Sequence, residues 1–406
     1  MTLRISPSRW MGWTIRKKAA MPKRWPSILF SFTILVGLVA CSSRIATPTT
    51  SPNAGEATAA LVSPTVAASP APEPSQAPAA PGTIVYVRAN PAEGRDELWS
   101  IALDGADDHL LLAPPCSGQA ACSIPGLAAS PDGTTIAYVV GEQALSGSLR
   151  LVSADGSGDR LVVDDVGAIG LQAFSPDGSR LAFVRYREAN PAPVPQSSLC
   201  VVEIGGEPRQ VTDWGFFYDP PAWFDDQTLI FSQASIGTPP SSWNMFRIAL
   251  EEGAEPIPLS PGQLVQLSPD RRAALVLVEP VASNSEQRDL GLLPLDGAEP
   301  RLLTRRGGPA PLAAWSPDGT WIAVYDPQTF RIDLIRAEDE ARQNVLVLPP
   351  ESWIAAIAWS TDGRSLIYRQ GATLRLLNID SGQERSLTTN AFNQLPQTLA
   401  VVVVTP

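Results

Sequence analysis

Short apolar runs of four to six residues alternate with polar turn clusters along most of the chain, and one pair sets the pattern. Leu171, Ala173 and Phe174 lead into Ser175-Pro176-Asp177-Gly178, and Leu181, Phe183 and Val184 follow. Proline fixes φ for the second position of a type I turn, Asp suits the third, and Gly accepts the left-handed position that comes next. The unit therefore reads as two strands joined by a tight hairpin that closes with a bulge. Nearly continuous apolar runs suit strands covered on both faces. An Asp beside a Gly turn could be a metal ligand or a catalytic acid, but Asp177 comes with the repeat and reads as a turn former.

The pattern recurs. Related turns start at Ser130, Ser175, Phe224, Ser268, Ser316 and Ser360, with successive spacings of 45, 49, 44, 48 and 44 residues. A third strand follows each hairpin, often closed by an acid and Gly, as in Leu149–Gly156, Leu199–Gly206, Leu290–Gly297 and Leu374–Gly382. A fourth strand is visible in Arg209–Thr212, Arg301–Thr304 and Arg385–Thr388. Four antiparallel strands in a repeat of this length make one propeller blade. The turn at Phe224 lacks Pro and Gly, and the turn at Ser268 has Arg271 in place of Gly, so these two are expected to close with different geometry.

The Ser-Pro-Asp-Gly hairpin, the third strand ending in Asp-Gly and the closing Leu-Thr together resemble the TolB-type, WD-repeat-like β-propeller family, from about residue 82 to 404. The resemblance implies an all-β ring and speaks weakly to function, because a TolB-type protein carries a separate domain ahead of its propeller where this chain has a tether. Six turns are visible. Ahead of them, Thr83–Arg88, Glu97–Asp104 and His109–Ala113 match the second, third and fourth strands of another blade. The spare apolar strand Leu399–Val404 would supply its first strand, giving seven blades and removing two open sheet edges. Trp223, Trp315 and Trp359 occupy repeat positions and are expected in the core between blades.

The beginning of the chain is different. Residues 1–40 carry seven basic residues and no acid, and the apolar run Ile28–Ala40 ends Leu38-Val39-Ala40-Cys41. A basic segment, a short apolar core and small residues describe a secretory signal, and the run is short for a bilayer span of about 20 residues. Leu-Val-Ala-Cys resembles the bacterial lipobox, which implies lipidation of Cys41; an uncleaved anchor and an ordinary signal with an incidental Cys are the other readings. Residues 41–81 are rich in Ser, Thr, Pro and Ala and read as a tether. The domain plan is thus a leader over 1–40, a tether over 41–81 and a propeller over 82–406, lipid-anchored outside the cytoplasm.

Charge narrows the partners. The whole chain has 30 basic and 41 acidic residues, a net charge of −11; without residues 1–40 the basic count falls to 23, all Arg, and the charge to −18. That argues against nucleic acid. Cys116 and Cys122, six apart in a polar loop, suit a disulfide outside the cytosol, and Cys200 sits in an apolar strand as a buried thiol. The single His109 opens a strand, and no Gly-x-Ser-x-Gly elbow is present, so neither a His-based metal site nor a serine triad is expected. No cofactor or metal is expected.

The irregular connections carry the functional expectation. Arg185–Ser198, Gln233–Asn244 and Glu279–Asp289 are long links between second and third strands in three successive blades, and they share a face with the links between blades. Aromatic residues on that face, Trp214, Phe216, Phe217, Tyr218, Trp243 and Tyr186, form a candidate platform for a protein, peptide or glycan. The expected function is a non-catalytic, monomeric binding propeller of the cell envelope. The alternatives are a TolB-like assembly factor and a propeller enzyme, such as a lyase or glycoside hydrolase.

Overall fold

The computed structural model describes residues 82–116, 122–143, 146–166, 172–187, 196–215, 219–234, 243–279, 287–305, 308–388 and 401–404. The leader, Cys41, the tether, Phe216, Phe217 and Tyr218 lie outside these residues. Every described element is a strand, and the strands form seven four-stranded antiparallel sheets.

The first three strands, β1 (Thr83–Asn90), β2 (Arg95–Ala102) and β3 (His109–Leu112), belong to an incomplete blade 1. Blade 2 follows as β4 (Leu127–Ala129), β5 (Thr135–Gln143), β6 (Ser146–Ser153) and β7 (Arg160–Val166). Blade 3 comprises β8 (Gln172–Phe174), β9 (Arg180–Arg187), β10 (Gln196–Glu203) and β11 (Arg209–Gln210). Blade 4 comprises β12 (Ala222–Asp225), β13 (Thr228–Ala234), β14 (Trp243–Ala249) and β15 (Ile257–Pro261). Blade 5 is β16 (Gln263–Leu267), β17 (Ala273–Val278), β18 (Asp289–Pro294) and β19 (Arg301–Leu302). Blade 6 is β20 (Leu312–Trp315), β21 (Trp321–Asp326), β22 (Arg331–Arg336) and β23 (Arg342–Val347). Blade 7 is β24 (Ile354–Trp359), β25 (Ser365–Gln370), β26 (Thr373–Asn378) and β27 (Glu384–Thr388). The last strand, β28 (Val401–Val404), returns to blade 1 and pairs antiparallel with β1 in the register Thr83↔Val404 to Tyr86↔Val401. The chain is a seven-bladed β-propeller whose ring is closed by its two ends, as the repeat arithmetic requires.

Burial follows from the period of two within each strand. Alternate residues of a blade face its two neighbours, so the core divides into seven clusters, one at each blade interface. Ile84, Tyr86 and Ile101 of blade 1 meet Ile367, Leu374 and Leu376 of blade 7 across the closure. Arg88 reinforces it, donating to Thr388 Oγ1 at 2.9 Å while its guanidinium lies over the Trp99 ring. Trp223, Trp315 and Trp359 are buried as repeat positions.

Five of the hairpin turns share one hydrogen-bond network. The buried Ser130, Ser175, Ser268, Ser316 and Ser360 each donate to the Asp two residues on, at 2.5–2.6 Å. Each Ser Oγ also accepts the backbone N–H five residues on, at 2.9–3.0 Å. These bonds hold the Asp177 carboxyl at a pKa of about 2, with the Ser175 hydroxyl the largest cause, which fits a turn former. The Ser268 turn departs from expectation. Arg271 adopts φ 58°, close to the 72° of Gly178, and its N–H bonds Ser268 O at 2.8 Å against 2.9 Å for the Gly178 pair. The side chain is accommodated at a cost rather than by a new geometry. Left-handed backbone costs a residue with a Cβ about 1–2 kcal/mol, partly offset in Gly by chain entropy. Arg271→Gly is therefore expected to stabilise the protein by about 0.5–1 kcal/mol, read as a higher denaturant midpoint at unchanged slope; an equal or lower midpoint contradicts it. The Phe224 turn does differ: two residues link β12 to β13, with a register shift between Trp223 and Asp225.

Candidate functional site

An antiparallel meander places the links from second to third strand, and from each blade to the next, on one face. The Ser-Asp turns occupy the other. On the loop face, the second-to-third links of blades 3, 4 and 5 run through residues 188–195, 235–242 and 279–288, eight to ten residues each, against two to four in the other blades.

Each link between blades delivers the chain to the inner strand of the next blade, at the mouth of the central channel. Three of these entries carry unusual groups, two polar and one aromatic. At the entry to blade 4, Asp219-Pro220-Pro221 precedes β12. The prolines lack N–H groups and hold the chain extended, and the Asp219 N–H donates to Ser232 O at 3.0 Å. Gln263, which opens β16 in blade 5, donates from Nε2 to Asp219 Oδ1 at 3.2 Å. Oδ2 is shielded from water and has no hydrogen-bond partner among the described residues. Burial pushes this carboxyl up to about 7, against a small opposing effect of the Gln263 bond. At the entry to blade 3, buried Gln172 donates from Nε2 to Gly126 O at 3.1 Å and Ala137 O at 3.4 Å, leaving its own Oε1 unpartnered. At the entry to blade 7, Trp353 is 57% exposed, with the Phe330 ring edge-on at 6.0 Å.

The raised Asp219 pKa has a stability consequence. The folded carboxyl keeps its proton between the unfolded value near 4 and about 7, so folding is disfavoured progressively as pH rises through that window, by on the order of 4 kcal/mol once ionisation is complete. Asp96, at the start of β2, makes the contrast. It is buried where Asp219 is half-buried, and burial raises it too, but its Oδ2 accepts the Ile124 N–H at 3.1 Å. That hydrogen bond belongs to the segment where Cys116 and Cys122 are joined as a disulfide, with Cα atoms 6.1 Å apart.

Of the aromatic residues expected to form a platform on this face, Tyr186, Trp214 and Trp243 are described. Tyr186 does not belong to it. It alternates with Ala182 and Val184 on the side of β9 that packs against blade 4, and it is 7% exposed. Its hydroxyl is pushed up to about 12 by burial first and by the Asp219 charge second, which sets it beside that carboxyl rather than on the surface. Trp214 is half-buried, and the Arg187 guanidinium lies 4.2 Å over its ring, steadied by bonds of 3.1 and 2.7 Å to Gln196 Oε1. Trp243 opens β14, half-buried, and its carbonyl accepts the Gly262 N–H at 2.8 Å, next to Gln263. Asp219 and Trp353 were not singled out by sequence. The one signal available was their shared place in the repeat, immediately ahead of an inner strand.

Other groups are accounted for. His109 is exposed, with Nδ1 2.8 Å from Asp107 O. Cys200 is a buried free thiol whose pKa burial pushes up. A cleft of about 510 Å³ opens between blades 5 and 6, lined among others by Arg305, Asp326, Asp333 and Arg342. Arg342 is occupied there by Leu303 O.

The sequence matches no protein-family profile and no curated protein. Solved structures share the fold. A puromycin hydrolase is similar over 77% of this chain and 53% of its own, at 14% identity and a TM-score of 0.56. An oligogalacturonate lyase in complex with manganese is similar over 71% of this chain and 84% of its own, at 14% identity and a TM-score of 0.54. TolB from Acinetobacter baumannii is similar over 80% of this chain and 67% of its own, at 16% identity and a TM-score of 0.49. The chain spans about half the length of the hydrolase. At these identities the likeness is one of fold, a β-propeller. It also corrects one expectation: enzymes stand among the chains that share this fold, so the reading of the protein as no enzyme is withdrawn.

Proposed function

We propose that this protein is a recognition propeller of the cell envelope, held by a lipid on Cys41 and the tether over 41–81, and that its loop face captures a protein, peptide or glycan. One observation carries the reading: the links between second and third strands are long in blades 3 to 5, and at the entries to blades 3 and 4 Gln172 Oε1 and Asp219 Oδ2 have no donor among the described residues, whereas the Ser-Asp turns of the opposite face satisfy their polar groups internally. Buried acceptors normally find a donor, and their concentration on the loop-rich face marks where an incoming ligand completes the structure.

Capture from envelope extract by the immobilised full chain tests this. Replacing both Trp214 and Trp243 by Ala is expected to lower capture of the partner at least five-fold. Arg272→Ala, on the turn face with a side chain 89% exposed, is expected to leave capture unchanged. Equal losses in both variants, or none in the first, would refute the placement of the site.

A further inference from the structure

Asp219 is a carboxyl for which the described residues supply neither a cation nor a full set of donors. A carboxylate offers about four acceptor positions, and here one side-chain amide uses one oxygen while the other has no partner among the described residues. Basic groups of this face are engaged elsewhere: Arg187 with Gln196 and Trp214, Arg288 with Glu279 at 3.3 Å. Buried carboxylates are ordinarily paired, because desolvation without a partner is costly. In the free protein a proton fills the role.

We propose that Asp219 is the receptor for a guanidinium or ammonium group, presented by an Arg or Lys side chain of the partner at the channel mouth of blade 4. This rests on the reading of the loop face as a recognition surface and names the chemistry it recognises. Three observations select a cation over a neutral donor. A cation replaces the proton with a charge-assisted bond, roughly twice as strong as a neutral one. The chain carries −11 overall and −18 without residues 1–40, which steers basic partners toward it. The backbone of Trp243 lies beside Gln263 through the Gly262 bond, which brings an aromatic residue to the same entry.

The groups facing Asp219 from the packed elements are Tyr186 of β9, Gln263 of β16 and the backbone of Ser232 in β13. Tyr186 stays neutral below about 12, so the pH response near 7 belongs to Asp219.

Calorimetric titration of the full chain tests this, using acetyl-Gly-Arg-Gly-amide, its citrulline counterpart of equal shape without charge, and methylguanidinium chloride. At pH 8.0 the Arg peptide is expected to bind about ten-fold tighter than the citrulline peptide, and about ten-fold tighter than at pH 5.5. Asp219→Asn is expected to abolish both differences. That this variant folds is checked by heating: it should melt higher than the unaltered protein at pH 8.0, and higher by about half as much at pH 5.5. Equal binding of Arg and citrulline peptides, a preference that survives in Asp219→Asn, or no binding by any probe overturns the proposal. Methylguanidinium matching the Arg peptide overturns the peptide source in favour of a small free cation. The two readings fail separately. A persistent Arg preference with unchanged capture by the Trp214 and Trp243 variant removes the recognition reading alone; altered capture with no Arg preference removes the cation alone.

Discussion

Removal of residues 399–406 is expected to destabilise the protein by on the order of 5 kcal/mol and to lower its melting temperature by about 10 °C. β28 supplies the inner strand of blade 1, paired with Thr83–Tyr86, and lies against the inner strands β4 and β24 of both neighbouring blades. Without it β1 becomes an edge, with unpaired backbone groups beside Ile84, Val85 and Tyr86, all fully buried. Scanning calorimetry of the truncated chain reads the loss. A transition within 2 °C of the unaltered protein would show that blade 1 holds without its inner strand. The truncated chain is also expected to form dimers, since an exposed β1 edge is a template for a second copy.

Trp359→Ala is expected to cost about 4 kcal/mol. The ring is buried between blades 6 and 7 among Tyr368, Leu366 and Ala314, and its Nε1–H donates to Ala314 O at 3.0 Å. Trp223 repeats the arrangement with Ala173 O at 3.0 Å. Trp315 does not: its Nε1 is buried without a partner, and a cleft of about 480 Å³ opens beside it between blades 5 and 6. The three tryptophans therefore separate under Trp→Phe. At 359 and 223 the change forfeits a hydrogen bond, and at 315 it removes an unsatisfied donor, so the first two are expected to cost about 1 kcal/mol more than the third. Urea titrations of the three variants measure the difference; equal costs would mean that the indole bonds contribute nothing.

The fold was legible because a propeller writes its architecture locally. Three hairpins announce themselves by Ser-Pro-Asp-Gly and three by recognisable departures from it, and the count of units fixes the ring, including the strand borrowed from Val401–Val404. Arg271 shows the limit of reading a turn from its composition. The Ser268 network imposes the left-handed position, and the surrounding bonds outweigh a residue's own preference. Tyr186 was misplaced because it lies at a strand end beside a long link, although its alternation with Ala182 and Val184 already pointed it at blade 4. Asp219 could not be recognised as buried from its neighbours in sequence. Its environment is assembled by Gln263 and Ser232 from two other strands, 44 and 13 residues further on, and only the ring brings them together.

The closure by both ends also sets the order in which the molecule can be completed. β1 is made first and its inner neighbour β28 last, with more than 300 residues between the paired positions. Six blades can form as local meanders while the chain is still emerging, but the first blade waits for the final strand. The interface between blades 7 and 1 is thus expected to be the last to form. An agent that holds β1 in that interval acts on the ring before it exists, when no assay of the finished protein would detect it.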